Sequence, residues 1–220
     1  MNRPLNFPEI NCASIWMNNI IEFFKTAEHL HYEKRTTRMS DGEQQSVAAH
    51  CFMLSLMAIT FVPKASVTLN MERVLKLCAA HDLPESKSHD IPAHKTLNDD
   101  AAREKKEKDE TEIMNEFTKL LNNSEFETLW QEYEEQKTPE SKFVKMLDRL
   151  DVCFQTLFSK TLDHIGSYDN GVYWKWYFSK SYRDMFASEP ALLQVFDEIQ
   201  KRLEHRIKTE LNINPDDFKE

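Results

Sequence analysis

The chain has 220 residues, of which only 3 are glycine, and its 28 Lys and Arg against 37 Asp and Glu give a formal net charge of −9. The glycines, Gly42, Gly166 and Gly171, are too far apart to form a loop that closes backbone around phosphate, which argues against a P-loop and a Rossmann dinucleotide site. A net-acidic chain is also a poor binder of long nucleic acid, since that affinity depends on neutralised phosphates. An anionic ligand would therefore need a local basic pocket.

Apolar residues recur at helical spacing almost throughout, so we predict an all-α fold. We expect one domain over residues 1–220, with a core at about 20–165 and C-terminal helices at about 172–211 packed on it. Two boundaries carry helix-start signals: Ser124 with Glu127 forms a capping-box pattern, and Thr138 precedes Pro139 as an N-cap. The predicted helices, in chain order, lie at about 12–30, 44–62, 71–83, 96–121, 125–136, 139–164, 172–187 and 189–211.

The cysteines indicate a reducing compartment. Cys12, Cys51, Cys78 and Cys153 form no CxxC pair, and three of them lie in apolar stretches, as buried thiols do. The N-terminal residues lack the order of a signal peptide, and the longest apolar run, 51–62, is well short of the roughly 20 residues that cross a bilayer. We expect a cytoplasmic protein without a membrane partner.

Two unusual segments have ordinary explanations. The mixed charges of Asp99–Glu112 are typical of a solvated helix face. The aromatic cluster VYWKWYF at Val172–Phe178 favours a core or dimer contact over stacking on a nucleotide base.

The segment LCAAHDLPESKSHDIPAHK, residues 77–95, is rich in groups that bind metals or move protons. Pro84 disfavours the helical conformation at Leu83, so the preceding helix should end there and carry His81 and Asp82 in its last turn. Both side chains can reach one metal only if it lies beside the helix end. A loop with further acid–base groups should follow the proline: Glu85, His89, Asp90 and His94.

Single polar residues also interrupt two otherwise apolar helix faces. His50 lies among Val47, Met53 and Leu54, where a histidine is more often a hydrogen-bonded core residue than a ligand. Asp148 and Asp151 are three positions apart on a helix with an apolar face. A bound cation explains such a pair, and so does ion pairing with Lys145 and Arg149 at the edge of the core.

The order of these groups resembles a known signature. A histidine at 50, a His-Asp pair at 81–82 and an aspartate at 148 resemble the metal signature of the HD-domain phosphohydrolases. The segments QSVAAH, HDLPE with DIP following, and KFVKMLDRLD are similar to the YfbR-type 5'-deoxynucleotidase branch. The resemblance covers roughly residues 20–160.

The resemblance implies an all-helical HD fold with one divalent metal bound by four residues: His50, His81, Asp82 and Asp148. Spacing alone leaves Asp148 and Asp151 open, and the matching KFVKMLD points to Asp148. Two imidazoles with two carboxylates suit Mn, Co, Fe, Ni or Zn better than Mg or Ca. Four protein ligands leave room for a water, whose pKa the metal lowers.

The resemblance also implies residues around the metal. The acidic residue that follows the HD pair matches Glu85, which with Asp82 is expected to be catalytic by positioning the water or passing a proton to the leaving oxygen. The sugar-contacting aspartate matches Asp90. The arginine that holds the substrate phosphate matches Arg35, with Arg38 as a nearby second choice, and Thr36 follows it where relatives often carry a tryptophan packed on the base. Members of this family are commonly homodimers that act on small nucleotides.

The leading prediction is therefore a metal-dependent phosphohydrolase that releases the 5'-phosphate of deoxyribonucleoside monophosphates. A deoxynucleoside triphosphate triphosphohydrolase of the phage HD type is an alternative, because residues 35–45 also resemble those proteins. Ala49, which replaces an acid usual in the family, and Thr36 motivate a second alternative, a non-catalytic nucleotide-binding HD module. A purely structural helical protein is the third alternative.

Overall fold

The computed structural model describes residues 12–91, 99–160, 162, 177, 179–214 and 216, with side chains from residue 15 onward. The all-α prediction is confirmed, with the addition of one small antiparallel hairpin. The elements are α1 (Cys12–Ala27), a 3-10 turn (Glu28–His31), β1 (Lys34–Arg38), β2 (Gln44–Ser46), α2 (Val47–Phe61), a 3-10 turn (Val62–Lys64), α3 (Met71–Ala80), α4 (Glu85–Ser88), α5 (Asp100–Leu121), α6 (Glu125–Glu135), α7 (Pro139–Phe158), α8 (Lys180–Asp184), α9 (Pro190–Arg206) and a π-helical turn (Ile207–Leu211).

Helices α2, α3 and α7 pack against one another and form the centre of the fold. Their buried faces belong to a hydrophobic cluster that extends to α6 and α9 and includes Leu54, Leu77, Leu147 and Phe196. A second cluster joins α1 to α5 through Phe23 and other buried residues. The facing sides of α2 and α7 and the C-terminal end of α3 therefore lie close together.

Helix α2 begins at Val47, three residues after the predicted start at residue 44. Gln44–Ser46 form strand β2, which pairs with β1 in the register Lys34↔Ser46 and Arg38↔Gln44. Gly42, with φ +93°, makes the turn between the strands, and Ser46 then caps α2 by accepting a hydrogen bond from the Ala49 amide at 3.2 Å. The sequence carries a turn signal at Asp41-Gly42, but the uniformly polar residues on either side of it show no alternation that predicts strands.

The predicted end of α3 is correct to within three residues, but the segment after it differs. The helix ends at Ala80, and His81 keeps a helical conformation while its amide donates to Leu77 O at 3.0 Å. Instead of a loop, the chain beyond Pro84 forms the short helix α4, since proline is well tolerated at a helix start. This turn holds Glu85 against the interior.

Both helix-start signals mark a helix start, since α6 begins at Glu125 and α7 at Pro139, but only one of the two side-chain caps forms. The Thr138 side chain accepts from the Ser141 amide at 3.1 Å. Ser124 makes no capping hydrogen bond with its side chain, because its ψ of 6° lacks the extended backbone that a cap requires. Glu127 instead accepts a hydrogen bond from the Thr118 hydroxyl at 2.7 Å and ties α6 to α5.

Other boundaries also differ. Helix α1 ends at Ala27 and α7 at Phe158, short of the predicted 30 and 164. Of the predicted helix 172–187, the structure describes residues 177 and 179–187, within which α8 spans Lys180–Asp184. The aromatic cluster Val172–Phe178 lies outside the described residues except for Tyr177, which is buried, and His94 lies outside them as well.

One stretch, Val47–Lys64, is long and apolar enough to cross a bilayer by length and composition alone, with a mean hydropathy of 1.5 over 18 residues, of which 33% are buried. Within this stretch α2 packs on α3 and α7 and carries the fully buried His50. Core helices of globular proteins have the same composition.

The prediction that Asp99–Glu112 is a solvated face is wrong at one turn of α5. Glu110 is only 6% exposed, and its carboxylate lies 3.4 Å from Lys106 Nζ. Burial, which outweighs the attraction of Lys106, raises the pKa of Glu110 to about 7.

This buried carboxyl predicts a pH-dependent stability. Because the pKa of Glu110 is raised on folding, unfolding releases a proton between its ordinary value of 4.5 and about 7, and stability falls as the pH rises through that window. We compare the free energies of unfolding of Glu110→Gln and wild type. The variant's value minus the wild-type value should increase by about 1–3 kcal/mol as the pH rises from 4.5 to about 7. Urea unfolding across this range measures it. The exposed Glu112→Gln is the matched control, and an equal pH profile for both variants would contradict the assignment.

Candidate metal centre

Four predicted ligand residues from three elements meet in one place. His50 comes from α2, His81 and Asp82 from the end of α3, and Asp148 from α7. His50 Nε2 lies 3.3 Å from Asp148 Oδ1 and 3.7 Å from Asp82 Oδ2, and His81 Nε2 lies 3.1 Å from the same Asp82 oxygen. Ligand atoms of His50, His81 and Asp148 all lie within 4.8 Å of one another. The four side chains thus converge on one point.

Both imidazoles are held through Nδ1, the ring nitrogen that points away from the centre. His50 Nδ1 lies 2.7 Å from Asp151 Oδ2, and His81 Nδ1 lies 3.1 Å from the Cys78 carbonyl. Among the described residues, neither buried Nε2 atom has a hydrogen-bond partner of acceptable geometry. Histidines that ligate metals are oriented in this way, with Nδ1 on an oxygen and Nε2 toward the ion. The donor set therefore fits a divalent transition metal.

The two aspartates of α7, which spacing could not separate, lie on different sides of His50. Asp148 faces Nε2, whereas Asp151 binds Nδ1 and is itself anchored by amide donors from Gln45 at 3.1 Å and Gln155 at 3.2 Å. Asp151 is thus positioned to orient the imidazole, whereas Asp148 lies on the side of Nε2, where a metal ion would bind. Sequence reasoning missed Gln45, because it assigned residue 45 to a helix.

Both inward-facing carboxylates are ionised. Burial opposes the charge of Asp148, but the His50 imidazole 3.3 Å away and the charge of Lys145 hold its pKa well below the usual range. For Asp82, interaction with His81 outweighs the same burial penalty and lowers the pKa. Two buried carboxylates that remain negative form a strong attraction for a cation.

Arg35 is the cation that faces these carboxylates. Strand β1 places its guanidinium 3.3 Å from Asp82 Oδ2 and 3.6 Å from Asp148 Oδ1, with the side chain 15% exposed. Arg38, the second choice from the sequence, is exposed and donates to the Gly42 carbonyl at 2.8 Å instead. Thr36 lies between them with its side chain exposed. Arg35 is thus a basic group that lies beside both Asp82 and Asp148.

Glu85 is buried on α4 at 5% exposure. Burial, with the charges of Asp82 and Asp90, raises the pKa of Glu85 well above its usual range. Within the part of the chain that the structure describes, its Oε2 has no hydrogen-bond partner. Such a carboxyl is suited to hold or transfer a proton.

Asp90 is held by a residue that the sequence did not reveal. The Asp90 amide donates to Glu33 Oε1 at 2.9 Å, and His89 Nδ1 lies 2.8 Å from Glu33 Oε2. His89 has a φ of +66°, a conformation uncommon for a residue other than glycine. Glu33 therefore stabilises the backbone turn at His89, and this turn positions the half-buried Asp90.

Comparisons with known proteins agree with this arrangement. A family model described as HD domain matches residues 27–175. The 5'-deoxynucleotidase HDDC2 of Danio rerio is 34% identical over 145 residues, which cover 63% of this chain and 68% of the relative. Its Homo sapiens counterpart is 31% identical over 152 residues, 66% and 71% of the two chains.

The fold is similar to that of a solved structure described as a predicted metal-dependent phosphohydrolase from Magnetospirillum magnetotacticum MS-1. The TM-score is 0.68 at 21% identity, with 88% of this chain and 97% of that chain covered. The resemblance inferred from the order of the histidines and aspartates is confirmed. On its sequence, its helical architecture and its match over residues 27–175, this chain belongs to the HD domain family.

Proposed function

We propose that this protein is a metal-dependent 5'-deoxynucleotidase, which hydrolyses the 5'-phosphate of deoxyribonucleoside monophosphates. The observation that carries the proposal is the convergence beside Arg35 of two ionised carboxylates and two buried imidazole nitrogens that have no hydrogen-bond partner among the described residues. Its substrate class is supported by the relatives named 5'-deoxynucleotidase at 31–34% identity.

His50, His81, Asp82 and Asp148 would hold the metal, which, when bound, would supply an acidified water and draw charge from the phosphoryl oxygens. Arg35 binds the phosphate with two donors in a fixed fork, the local basic group that a chain of charge −9 requires. Glu85 holds a proton at the leaving oxygen, because its carboxyl is buried and Oε2 has no partner among the described residues.

Asp90 binds the sugar in this proposal, with its backbone fixed by Glu33. Thr36 follows Arg35 on strand β1 and is exposed, and we propose that it contacts the base. The resident metal belongs to the set Mn, Co, Fe, Ni and Zn, since mixed nitrogen and oxygen donors favour these over Mg and Ca.

A phosphate-release panel tests the activity. The metal-stripped protein is loaded with each metal in turn and given deoxynucleoside and ribonucleoside mono-, di- and triphosphates. The proposal expects inorganic phosphate from deoxynucleoside monophosphates and loss of activity with a chelator. Release of intact triphosphate from a deoxynucleoside triphosphate would instead identify a triphosphohydrolase. Nucleotide binding without any release would identify a non-catalytic module.

We also propose that the protein is a cytoplasmic homodimer. Helices α1 and α2 leave large apolar side chains exposed, which is typical of a surface that contacts another protein: Trp16, Ile21, Phe24, Phe52 and Ile59. Light scattering should give twice the chain mass of 26.0 kDa.

The cytoplasmic location is supported by the cysteines. Cys78 and Cys153 are buried as free thiols, which suits a reducing compartment.

A further inference from the structure

Tyr133, on α6, contacts two of the four ligand residues, although nothing in its sequence position marks it as part of the site. Its side chain is 3% exposed. The ring centroid lies 4.8 Å from that of His81, and the hydroxyl donates to Asp148 Oδ2 at 2.9 Å. One side chain thus links ligands from α3 and α7.

The hydrogen bond falls on one particular oxygen of Asp148. Oδ1 faces His50 Nε2 at 3.3 Å and Arg35 at 3.6 Å, so it points to the centre, whereas Oδ2 faces Tyr133. With Oδ2 engaged in this way, Asp148 would bind a metal through Oδ1. The coordination position that a bidentate carboxylate would occupy would then remain available to water or phosphate.

Lys145 determines the direction of this hydrogen bond. Its Nζ donates to Tyr133 Oη at 2.9 Å and lies 4.5 Å from the ring centroid and 3.6 Å from Asp148 Oδ2. An ammonium has only donors, so the tyrosine oxygen must accept, and its own proton is left for Asp148. A hydroxyl that accepts from a cation is also a stronger donor.

We propose that Tyr133 and Lys145 are positioning residues for the metal centre, which together hold Asp148 as a ligand through a single oxygen. The inference rests on the proposed function only in that the four residues bind a metal. It concerns metal affinity and coordination, not the identity of the nucleotide. Partners of this kind commonly contribute about 10–100-fold to metal affinity or activity.

The decisive variant is Tyr133→Phe, which keeps the ring on His81 and removes only the hydroxyl. We expect its metal dissociation constant, measured by competition with a chromophoric chelator, to rise about 10–100-fold. Under saturating metal, kcat should fall while KM for the nucleotide changes little, because Asp148 can then bind through both oxygens. The matched control is Tyr182→Phe, which removes another buried hydroxyl next to α7, one that donates to Arg149 O at 3.1 Å. It should lower Tm without weakening metal binding.

A second variant keeps the inference testable if Tyr133→Phe does not fold. Lys145→Arg keeps a positive charge beside Asp148 Oδ2, which Lys145 Nζ approaches to 3.6 Å, and changes the donor to the tyrosine hydroxyl. It should weaken metal binding in the same direction but less, with the exposed Lys142→Arg of the same helix as its control. Because the charge beside Asp148 is kept, Lys145→Arg should have little further effect in the Tyr133→Phe background.

The outcomes separate this inference from the proposed function. Wild-type metal affinity and kcat in Tyr133→Phe, or a full additive loss in the double variant, would overturn the positioning role while leaving the nucleotidase proposal intact. A wild-type protein that binds metal but releases no phosphate would overturn the nucleotidase proposal, and the tyrosine effect on affinity would stand. Failure of the wild type to bind any metal would overturn both.

Discussion

Replacing His81 with alanine is expected to abolish metal binding and phosphate release together. His81 supplies one of two buried imidazole nitrogens, and its Nε2 lies 3.1 Å from Asp82 Oδ2. Loss of a ligand itself should exceed the roughly 10–100-fold effect of a residue that only supports a ligand. Elemental analysis of the purified variant should therefore find no bound transition metal, and phosphate release should fall by more than about a hundredfold.

The control for this variant is His205→Ala, because His205 is an exposed histidine on α9. Its metal content and activity should equal those of the wild type. Since His81 also contacts the Cys78 carbonyl, the two variants are compared at a temperature where circular dichroism shows both to be folded. A folded His81→Ala protein that keeps one equivalent of metal would remove His81 from the ligand set.

Replacing Arg35 with glutamine is expected to separate phosphate binding from metal binding. Loss of two charge-assisted hydrogen bonds to the phosphate should lower kcat/KM on the order of 10²-fold, chiefly through KM. The same change removes a positive charge that lies 3.3 Å from Asp82 and 3.6 Å from Asp148. Metal affinity should therefore stay equal or rise, which distinguishes Arg35 from every ligand residue.

Arg38→Gln is the matched control, because Arg38 belongs to the same strand but donates to the Gly42 carbonyl at the surface. It should leave KM and metal content unchanged. If Arg35→Gln lost its metal, or if Arg38→Gln raised KM as much, the phosphate would not be held by Arg35.

The resemblance to the HD-domain family predicts the ligand set, because His50, His81-Asp82 and Asp148 follow the order of that family's metal signature. His50 interrupts an apolar helix face, and His81-Asp82 precedes Pro84, which ends a helix. Both are local patterns. The choice between Asp148 and Asp151 was different, because two acids three positions apart on one helix share a face. Only the packing of α7 against α2 shows that Asp148 faces His50 Nε2 and Asp151 faces Nδ1.

The supporting residues could not be found from local patterns. Gln45, Tyr133 and Glu33 are polar residues in polar surroundings, and they lie on strand β2, on helix α6 and just before strand β1. Glu110 similarly belongs to a charged run that predicts exposure, yet its turn of α5 is buried. Such positions depend on long-range packing, which helical periodicity does not encode.

X-ray absorption spectroscopy on the cobalt- or manganese-loaded protein tests most directly the claim that His50, His81, Asp82 and Asp148 bind one metal. We expect one equivalent of metal per chain, with a shell of nitrogen and oxygen atoms that includes the multiple scattering of two imidazoles. His81→Ala should lose the metal, and Asp151→Asn should keep it. A wild-type spectrum without imidazole scattering, or with sulfur as the main scatterer, would contradict the account.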